Sequence, residues 1–219
     1  MVNGEDVSSP PATATPLSAI AEAFEDLAKR LNDVEKNEPD GEEQLRLENF
    51  CHACSLVSVL FNCLGLVFKF AELEYTSKLH GLMNASKTYD TLQDILDLDV
   101  ANDTVKTAGS LSRSLRRVRQ GLDLVRSLFK QFLATDDNSL KEAASTAYAE
   151  VCAPYHSWTV RAAVSAGMYA LPTRDQLLVR LNETEQSAEK KMTRYINASA
   201  PIIEYIDKLY LSRNIMLNW

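Results

Sequence analysis

The segment ACSLVSVLFNCLGLVF, residues 53–68, is the most hydrophobic stretch of the chain and decides its fold class. Its sixteen residues carry no charge, and a helix built from them is apolar on nearly every face, which is typical of a helix buried in a protein core. A membrane span needs about 20 apolar residues, whereas this segment is shorter and contains two serines, an asparagine and a glycine. We therefore predict a central core helix that continues through Lys78 to about Asn84.

Amphipathic patterns on both sides of this segment predict further helices. Apolar residues recur at steps of three and four over Leu17–Leu31 and again over Leu111–Phe132. Asn102 or Asp103 is expected to cap the second of these helices at its start. Eight helices and no convincing strand are predicted in all, and Pro201 is expected to bend the last helix. The five helices not yet given cover residues 89–98, 140–152, 156–170, 174–181 and 183–214.

Composition and charge exclude several classes of protein. The chain of 219 residues is 46% hydrophobic, which is enough to bury a sizeable core, and its seven glycines and seven prolines are too few for hairpin-rich or phosphate-loop folds. The net charge of -7 argues against a general nucleic-acid binder. Much of the acidity falls in a loop predicted over residues 33–43. We expect one domain over residues 16–219, after a disordered tail over residues 1–15 that is rich in Pro, Ser, Thr and Ala.

The four cysteines are interpreted as buried thiols of a protein in a reducing compartment. The first fifteen residues lack the pattern of a secretory signal, so a cytoplasmic location is expected. Cys51 and Cys54 have the spacing of half a zinc site, but the same spacing places both on one helical face, and no second pair follows. Cys63 and Cys152 are isolated in the sequence. Neither a metal nor a cofactor is therefore expected.

Four arginines fall within seven residues of the helix predicted over residues 111–132. Arg113 and Arg117 lie one turn apart on the same face, where two planar guanidinium groups can hold a phosphate through charge-assisted hydrogen bonds. The alternative is a solvated basic face that also includes Arg116, with Arg119 and Asp123 forming an ordinary surface pair. Helix geometry alone leaves both interpretations open.

Two further polar clusters lie beside strongly apolar sequence. Glu74 and Lys78 are four residues apart just beyond the core segment, and an ordinary helix-surface pair is the alternative to a binding role. His156 follows a proline near the predicted start of a helix, where a neutral imidazole can donate to a ligand or cap the backbone. Since the three clusters fall on three separate helices, their combination suggests an amphiphilic ligand.

Four segments of the chain resemble the glycolipid transfer protein superfamily, in particular its ceramide-1-phosphate-transferring branch in plants. The resemblance covers roughly residues 17–219. It implies an all-α, two-layer helical sandwich whose helices part to enclose the lipid chains, with the polar head held at the surface. The segments are CHACSLVSVLFNCLGLVFKFAELEYTSKL (51–79), AGSLSRSLRRVRQGLDLV (108–125), YAEVCAPYHSWTVRAAVSAGMYALPTR (148–174) and NASAPIIEYIDKLYLS (197–212).

The resemblance also implies roles for individual residues. Glu74 and Lys78 match an acidic residue and a lysine that bind the ceramide amide and the headgroup, and His156 matches a histidine that binds the amide carbonyl. Arg117 stands where glycolipid-binding members have a sugar-stacking tryptophan, and with Arg113 it resembles the phosphate-binding members. The family residue at the acidic position is usually Asp, so Glu74 carries one extra methylene.

The function that the resemblance implies is a non-enzymatic carrier of a ceramide-1-phosphate-like sphingolipid. The carrier is expected to be a cytoplasmic monomer that touches membrane surfaces transiently and binds no nucleic acid. Trp158 matches an aromatic residue that family members use near the membrane, with a position in the core as the alternative. A sensor or scaffold without transfer, a glycolipid carrier, and an enzyme that uses Glu74 and His156 as acid and base are the competing functions.

Overall fold

The computed structural model describes residues 14–37, 45–65 and 68–219, and of residues 33–37 it describes the backbone alone. Most of the expected N-terminal tail and of the expected acidic loop lies outside these ranges. Within them the chain forms nine α-helices, and no strand apart from two isolated β-bridges. The helices are α1 (Pro16–Asn37), α2 (Leu47–Leu64), α3 (Lys69–Ala85), α4 (Leu92–Ala101), α5 (Leu111–Leu133), α6 (Leu140–Val151), α7 (Trp158–Gly167), α8 (Arg174–Leu181) and α9 (Glu185–Leu211).

The prediction of a single long helix from the core segment to Asn84 is wrong, because the helix is interrupted between α2 and α3. Gly65 ends α2 with φ of 101°, a backbone conformation that glycine adopts without steric cost. The end of α2 is also fixed from outside the helix. The Nη1 atom of Arg180 in α8 donates to the carbonyl oxygen of Cys63 at 2.8 Å, which satisfies one of the free carbonyls at the helix end.

The predicted caps of α5 are also wrong. The helix begins after Ser110, whose Oγ atom accepts from the backbone N–H of Arg113 at 3.1 Å. Asn102 instead ends α4, where its backbone N–H bonds to the carbonyl of Leu98. Asp103 follows with φ of 55°, so the two polar residues predicted to cap α5 terminate the preceding helix instead.

Helix α5 lies at the centre of the packing. It contacts α3, α6 and α9, while α1 packs against α2 and α9. The rings of Phe24, Phe129 and Tyr195 meet edge to face inside, with centroids 5.0 and 5.6 Å apart. Helix α2 is long and apolar enough to cross a membrane by length and composition alone. Half of its eighteen residues are nevertheless buried within the protein, which agrees with the predicted core helix.

A close approach between α3 and α5 occurs at Gly121. A Cβ atom built on Gly121 would lie 2.8 Å from ring atoms Cδ2 and Cε2 of Tyr75, so only glycine fits at this position. Tyr75 is buried, and its hydroxyl group donates to the carbonyl oxygen of Cys54 in α2 at 2.9 Å. The contact therefore fixes α3 against both α5 and α2, one residue away from Glu74.

The prediction that the cysteines are buried thiols is confirmed. Cys51, Cys54, Cys63 and Cys152 are all buried and free. No group of three or more His, Cys, Asp or Glu side chains in the described part of the chain has the geometry of a metal site.

Candidate functional site

Two arginines near the start of α5 form the centre of the site. Arg113 donates from Nη1 to the carbonyl oxygen of Lys106 at 2.7 Å, and Arg117 donates from Nη1 to Oε1 of Gln120 at the same distance. Neither guanidinium has a carboxylate within 4.0 Å among the described residues. Both cations therefore keep donors that are free for an anionic ligand.

Glu74 on α3 lies close enough to Arg117 of α5 for its charge to affect the pKa of that arginine. Burial lowers the pKa of Arg117, and the nearby charges of Arg113 and Arg116 lower it further, while the carboxylate of Glu74 raises it. Helix α3 packs on α5, and Gly121 sets the closeness of that packing. The structure thus brings together residues that are about 40 positions apart in the sequence.

Glu74 and Lys78 form the helix-surface ion pair that their spacing predicts. Nζ of Lys78 lies 3.4 Å from Oε1 of Glu74, and the side chains are 28% and 65% exposed, respectively. An exposed pair of this kind contributes only about 0.3–0.5 kcal/mol. The pairing is too weak to keep the carboxylate from another partner, so Glu74 remains available to a ligand beside Arg117.

His156 lies at the end of a short 3-10 turn, Ala153–Tyr155, and two residues before α7, rather than within a helix as predicted. Its Nδ1 atom is 2.8 Å from the hydroxyl oxygen of Tyr148 in α6. Burial lowers the pKa of His156, and the positive charge of Arg117 lowers it further. The ring is therefore neutral at pH 7. In the tautomer in which Tyr148 donates to Nδ1, the Nε2–H group is a hydrogen-bond donor.

The predicted solvated basic face does not exist, because only part of the arginine group faces solvent. Arg116 is buried, with 3% of its surface exposed. Arg119 bonds to Asp123 at 2.7 Å and to Asp207 of α9 at 2.8 Å, and Arg126 bonds to Asp123 at 3.1 Å. We call these four residues, Arg119, Asp123, Arg126 and Asp207, the α5–α9 ion-pair network. The predicted surface pair of Arg119 and Asp123 is thus part of a mostly buried network.

The structure adds three residues around the candidate site that the sequence did not assign to it. Tyr148 bonds to His156, Gln120 orients Arg117, and Arg116 lies beside Arg117. The spacing of three between Arg117 and Gln120 is a signal that the sequence offers. The partnership of Tyr148 with His156 carries no such signal, because it depends on the reversal of the chain at the 3-10 turn.

Trp158 begins α7 and is 73% exposed, so the core alternative for this residue is wrong. Within α7 only Gly167 is buried. Val160, two residues after Trp158, is exposed as well. Helix α7 therefore presents apolar side chains to solvent two residues beyond His156.

Comparison with known proteins identifies the family. Residues 45–183 match the family described as glycolipid transfer protein. The chain belongs to the glycolipid transfer protein family. An Arabidopsis thaliana protein described as an ACD11 homolog is 67% identical to the chain, over 94% of this chain and 89% of its own length. A ceramide-1-phosphate transfer protein of Rattus norvegicus is 30% identical, over 71% of this chain and 79% of its own.

A solved structure supports the same fold. A crystal structure of a mutant of Arabidopsis ACD11 (accelerated-cell-death 11) in complex with C12 ceramide-1-phosphate superposes with a TM-score of 0.89. It is 46% identical and covers 94% of this chain and 100% of its own. The predicted all-α, two-layer sandwich of the glycolipid transfer protein fold is thereby confirmed.

Proposed function

We propose that this protein is a monomeric, non-enzymatic carrier that moves a ceramide-1-phosphate-like sphingolipid between the cytosolic faces of membranes. The observation that carries the proposal is the pair of guanidinium groups, Arg113 and Arg117, that lack carboxylate partners among the described residues and adjoin Glu74 and His156. The ACD11 structure that shares this fold holds ceramide-1-phosphate, and the rat relative is named for its transfer.

The headgroup follows from the chemistry of the cations. A phosphate monoester carries up to two negative charges and three free oxygens, which match the planar donor forks of Arg113 and Arg117. Lys78 adds a third cation from α3 and keeps part of its surface exposed. A glycolipid carrier is less well supported, because Arg117 offers no aromatic ring on which a sugar can stack.

The ceramide amide needs one acceptor and one donor, and the site contains both. We assign the N–H group of the lipid to the carboxylate of Glu74 and the carbonyl oxygen to Nε2–H of His156. The lowered pKa of His156 keeps the ring neutral, so it donates without placing another positive charge beside Arg117.

The lipid chains would occupy the apolar interior that α1, α2, α5 and α9 enclose. Burial of each CH₂ group there contributes about 0.8 kcal/mol. Aromatic side chains such as Phe24, Phe129 and Tyr195 pack against one another in this interior, so helices and side chains must part as the chains enter. A scaffold without transfer activity would instead keep this interior closed to lipid.

Two observations argue against an enzyme that uses Glu74 and His156 as acid and base. Glu74 is exposed, which leaves its carboxylate without the desolvated surroundings that activate a general acid. Burial raises the pKa of the nearby Cys152 thiol to about 11, so it is not a nucleophile at pH 7. An acid–base pair of Glu74 and His156 would thus act without an activated nucleophile.

Lipid extraction tests the proposed function directly. The purified full chain is incubated with vesicles containing equal amounts of C12 ceramide-1-phosphate, ceramide, sphingomyelin and glucosylceramide, and is then analysed by native mass spectrometry. We expect a one-to-one complex with ceramide-1-phosphate, and transfer of the same lipid to acceptor vesicles. Preferential loading of glucosylceramide would establish the glycolipid alternative, and extraction of no lipid would establish the scaffold.

Membrane contact through α7 is the second part of the proposal. An exposed indole suits the interface between lipid headgroups and acyl chains. Trp158→Ala should therefore slow transfer between vesicles several-fold while its thermal stability and its affinity for detergent-dispersed lipid stay near those of the parent. Val179→Ala on α8 is the control, since Val179 is equally exposed and lies on another helix. Equal transfer rates for the two variants would contradict a contact at Trp158.

A further inference from the structure

Arg116 is a buried cation for which the described residues supply no anionic partner. Its Nη2 atom donates to the carbonyl oxygen of Leu217 at 2.9 Å, and its guanidinium lies 5.3 Å from the ring centroid of Tyr155. Its Nε and Nη1 atoms are buried and have no hydrogen-bond acceptor in the described part of the chain. The side-chain amide nitrogen of Gln120 is buried and without an acceptor as well.

Such an arrangement is costly in a folded protein. Burial of an ionised group without a compensating partner is among the largest destabilising effects that a side chain can have. Arg174, the other arginine that is buried to this extent, shows the usual solution. It bonds to the carboxylate of Glu185 and donates to the carbonyl oxygens of Phe132 and Thr135 at 2.7 and 2.8 Å.

Arg116 lies next to the proposed headgroup site. It follows Arg113 by three residues, and Gln120 follows it by four, so all three share one face of α5. Its charge adds to the burial that lowers the pKa of Arg117, and the charges of both arginines partly oppose the burial that raises the pKa of the Cys152 thiol. Gln120, which carries the other unpaired donor, accepts from Nη1 of Arg117 at 2.7 Å, so this group of buried donors directly contacts the proposed headgroup site.

We propose that Arg116 is a third guanidinium of the headgroup site, a buried and unpaired charge that the phosphate of the bound lipid compensates. This inference rests on the proposed function. The C-terminal segment at Leu217 and the ring of Tyr155 hold the cation in place, and Tyr155 directly precedes His156. Because the charge is buried, salt screens its attraction for a phosphate far less than it screens the attraction of a solvent-exposed cation.

The proposal predicts opposite effects on stability and on binding. Replacement of Arg116 by an uncharged side chain of similar length removes an uncompensated buried charge, so the lipid-free protein should lose no stability. The same change should weaken binding of the phosphorylated lipid and leave binding of the neutral lipid unchanged. A merely structural role for Arg116 predicts the reverse pattern, namely lower stability and unchanged discrimination between the two lipids.

The experiment compares the affinity of the full chain for C12 ceramide-1-phosphate with its affinity for C12 ceramide. For Arg116→Met we expect the ratio of the two affinities to fall about tenfold, the effect of losing a charge-assisted interaction. The fall should be of similar size at about 0.05 M and about 0.5 M salt. Arg126→Met is the matched control, because it removes from the same helix an arginine that is paired with Asp123 at 3.0 Å, and its ratio should stay within about twofold of the parent.

The outcomes separate this inference from the proposed function. A ratio for Arg116→Met within twofold of the parent would overturn the inference, whatever the stability of the variant. Arg116→Lys retains the charge and should stay within about threefold of the parent, so a lysine variant as weak as the methionine variant would also overturn it. If Arg116→Met does not fold, Arg116→Gln supplies the same comparison. A parent protein that binds both lipids equally would instead disprove the proposed phosphate headgroup.

Discussion

Two groups of arginines on α5 differ in their partners. Arg113 and Arg117 are four residues apart and have no carboxylate partner among the described residues, whereas Arg119 and Asp123, also four apart, belong to a network that α9 completes with Asp207. Arg117 of the first group lies near Glu74 and His156, and the second group joins two core helices. The comparison shows that Asp123, within helical spacing on α5, together with Asp207 of α9, separates the paired arginines from the unpaired ones.

The two groups of arginines also differ in how they affect the stability of the protein and its affinity for an anion. In the α5–α9 ion-pair network, the attraction between opposite charges offsets the cost of taking them out of water, so the protein gains stability there and has little left to offer a ligand. The arginines near the start of α5 remain uncompensated, which costs stability and favours anion binding. The four predictions below test this contrast, beginning with the largest expected effect.

The largest effect is expected from the network. Arg119→Met leaves the partly buried Asp207 without its cation and should lower the free energy of unfolding by about 2–3 kcal/mol, which corresponds to a decrease in Tm of about 5–10 °C. The preference for ceramide-1-phosphate over ceramide should not change. Thermal unfolding followed by circular dichroism measures the first effect. Lys208→Met is the control. Lys208 pairs with Glu204 at the surface, where both side chains are 67% exposed, and this pair should contribute less than about 0.5 kcal/mol.

The next effect is expected at the headgroup. Arg117→Ala should weaken binding of ceramide-1-phosphate by about 2 kcal/mol, or about thirtyfold, because the phosphate loses a charge-assisted partner. Arg113→Ala should act in the same direction. The Tm of the lipid-free variants should be within about 2 °C of the parent, since no ion pair is broken. If either variant bound the phosphorylated lipid with parental affinity, that arginine would have no place in the site.

A smaller effect is expected at Glu74, where the sequence departs from its family. Glu74→Gln exchanges a charged acceptor for a neutral one and should lower lipid affinity by about 1 kcal/mol, or about fivefold. Glu74→Asp restores the usual length and should bind as well as the parent or better. Titration calorimetry with dispersed ceramide-1-phosphate at one ionic strength compares the three proteins. Affinities that agree within about 0.5 kcal/mol would mean that Glu74 only pairs with Lys78.

The smallest effect concerns pH. The pKa of His156 is lowered in the folded protein, so the unfolded chain binds this proton at a higher pH than the folded one does. As the pH falls below about 6.5, the unfolded state therefore gains relative stability, until the folded state is protonated as well. His156→Gln should thus lose less stability than the parent between about pH 6.5 and pH 5. Urea unfolding at each pH measures the difference, and parallel curves would show that His156 titrates normally.

The sequence predicted the fold to the extent that the fold depends on hydrophobic periodicity. The stripe over Leu111–Phe132 matched α5 almost residue for residue, and α8 was predicted with its observed bounds, Arg174–Leu181. The break at Gly65 was missed because the apolar run continues through it, and the positive φ that ends α2 has no hydrophobic signature. A backbone conformation decided this boundary, and only the glycine itself pointed to it.

The site was predicted less completely, because its members come together only through tertiary packing. Spacing and sequence context singled out Glu74, Arg113, Arg117 and His156, and the resemblance gave them roles. In the structure, the charges of Arg113 and Glu74 act on Arg117, and that of Arg117 acts on His156. Their roles in binding remain predictions. The burial of Arg116 could not be read from the sequence, since the chain near Leu217, about 100 residues later, covers this side chain.

The absence of a Cβ atom at Gly121 affects how closely α3 approaches α5 beside the proposed site. Because the Tyr75 ring occupies the space that any side chain at residue 121 would need, a larger residue there would force the ring or its helix to move. Glu74 adjoins Tyr75 in sequence, so the same contact sets the distance across which a headgroup must reach from α3 to the guanidinium of Arg117. We therefore expect the separation of these two proposed recognition residues to depend on Gly121, which need not touch the lipid itself. A relative with a larger side chain there would hold its two recognition helices farther apart and would suit a bulkier headgroup.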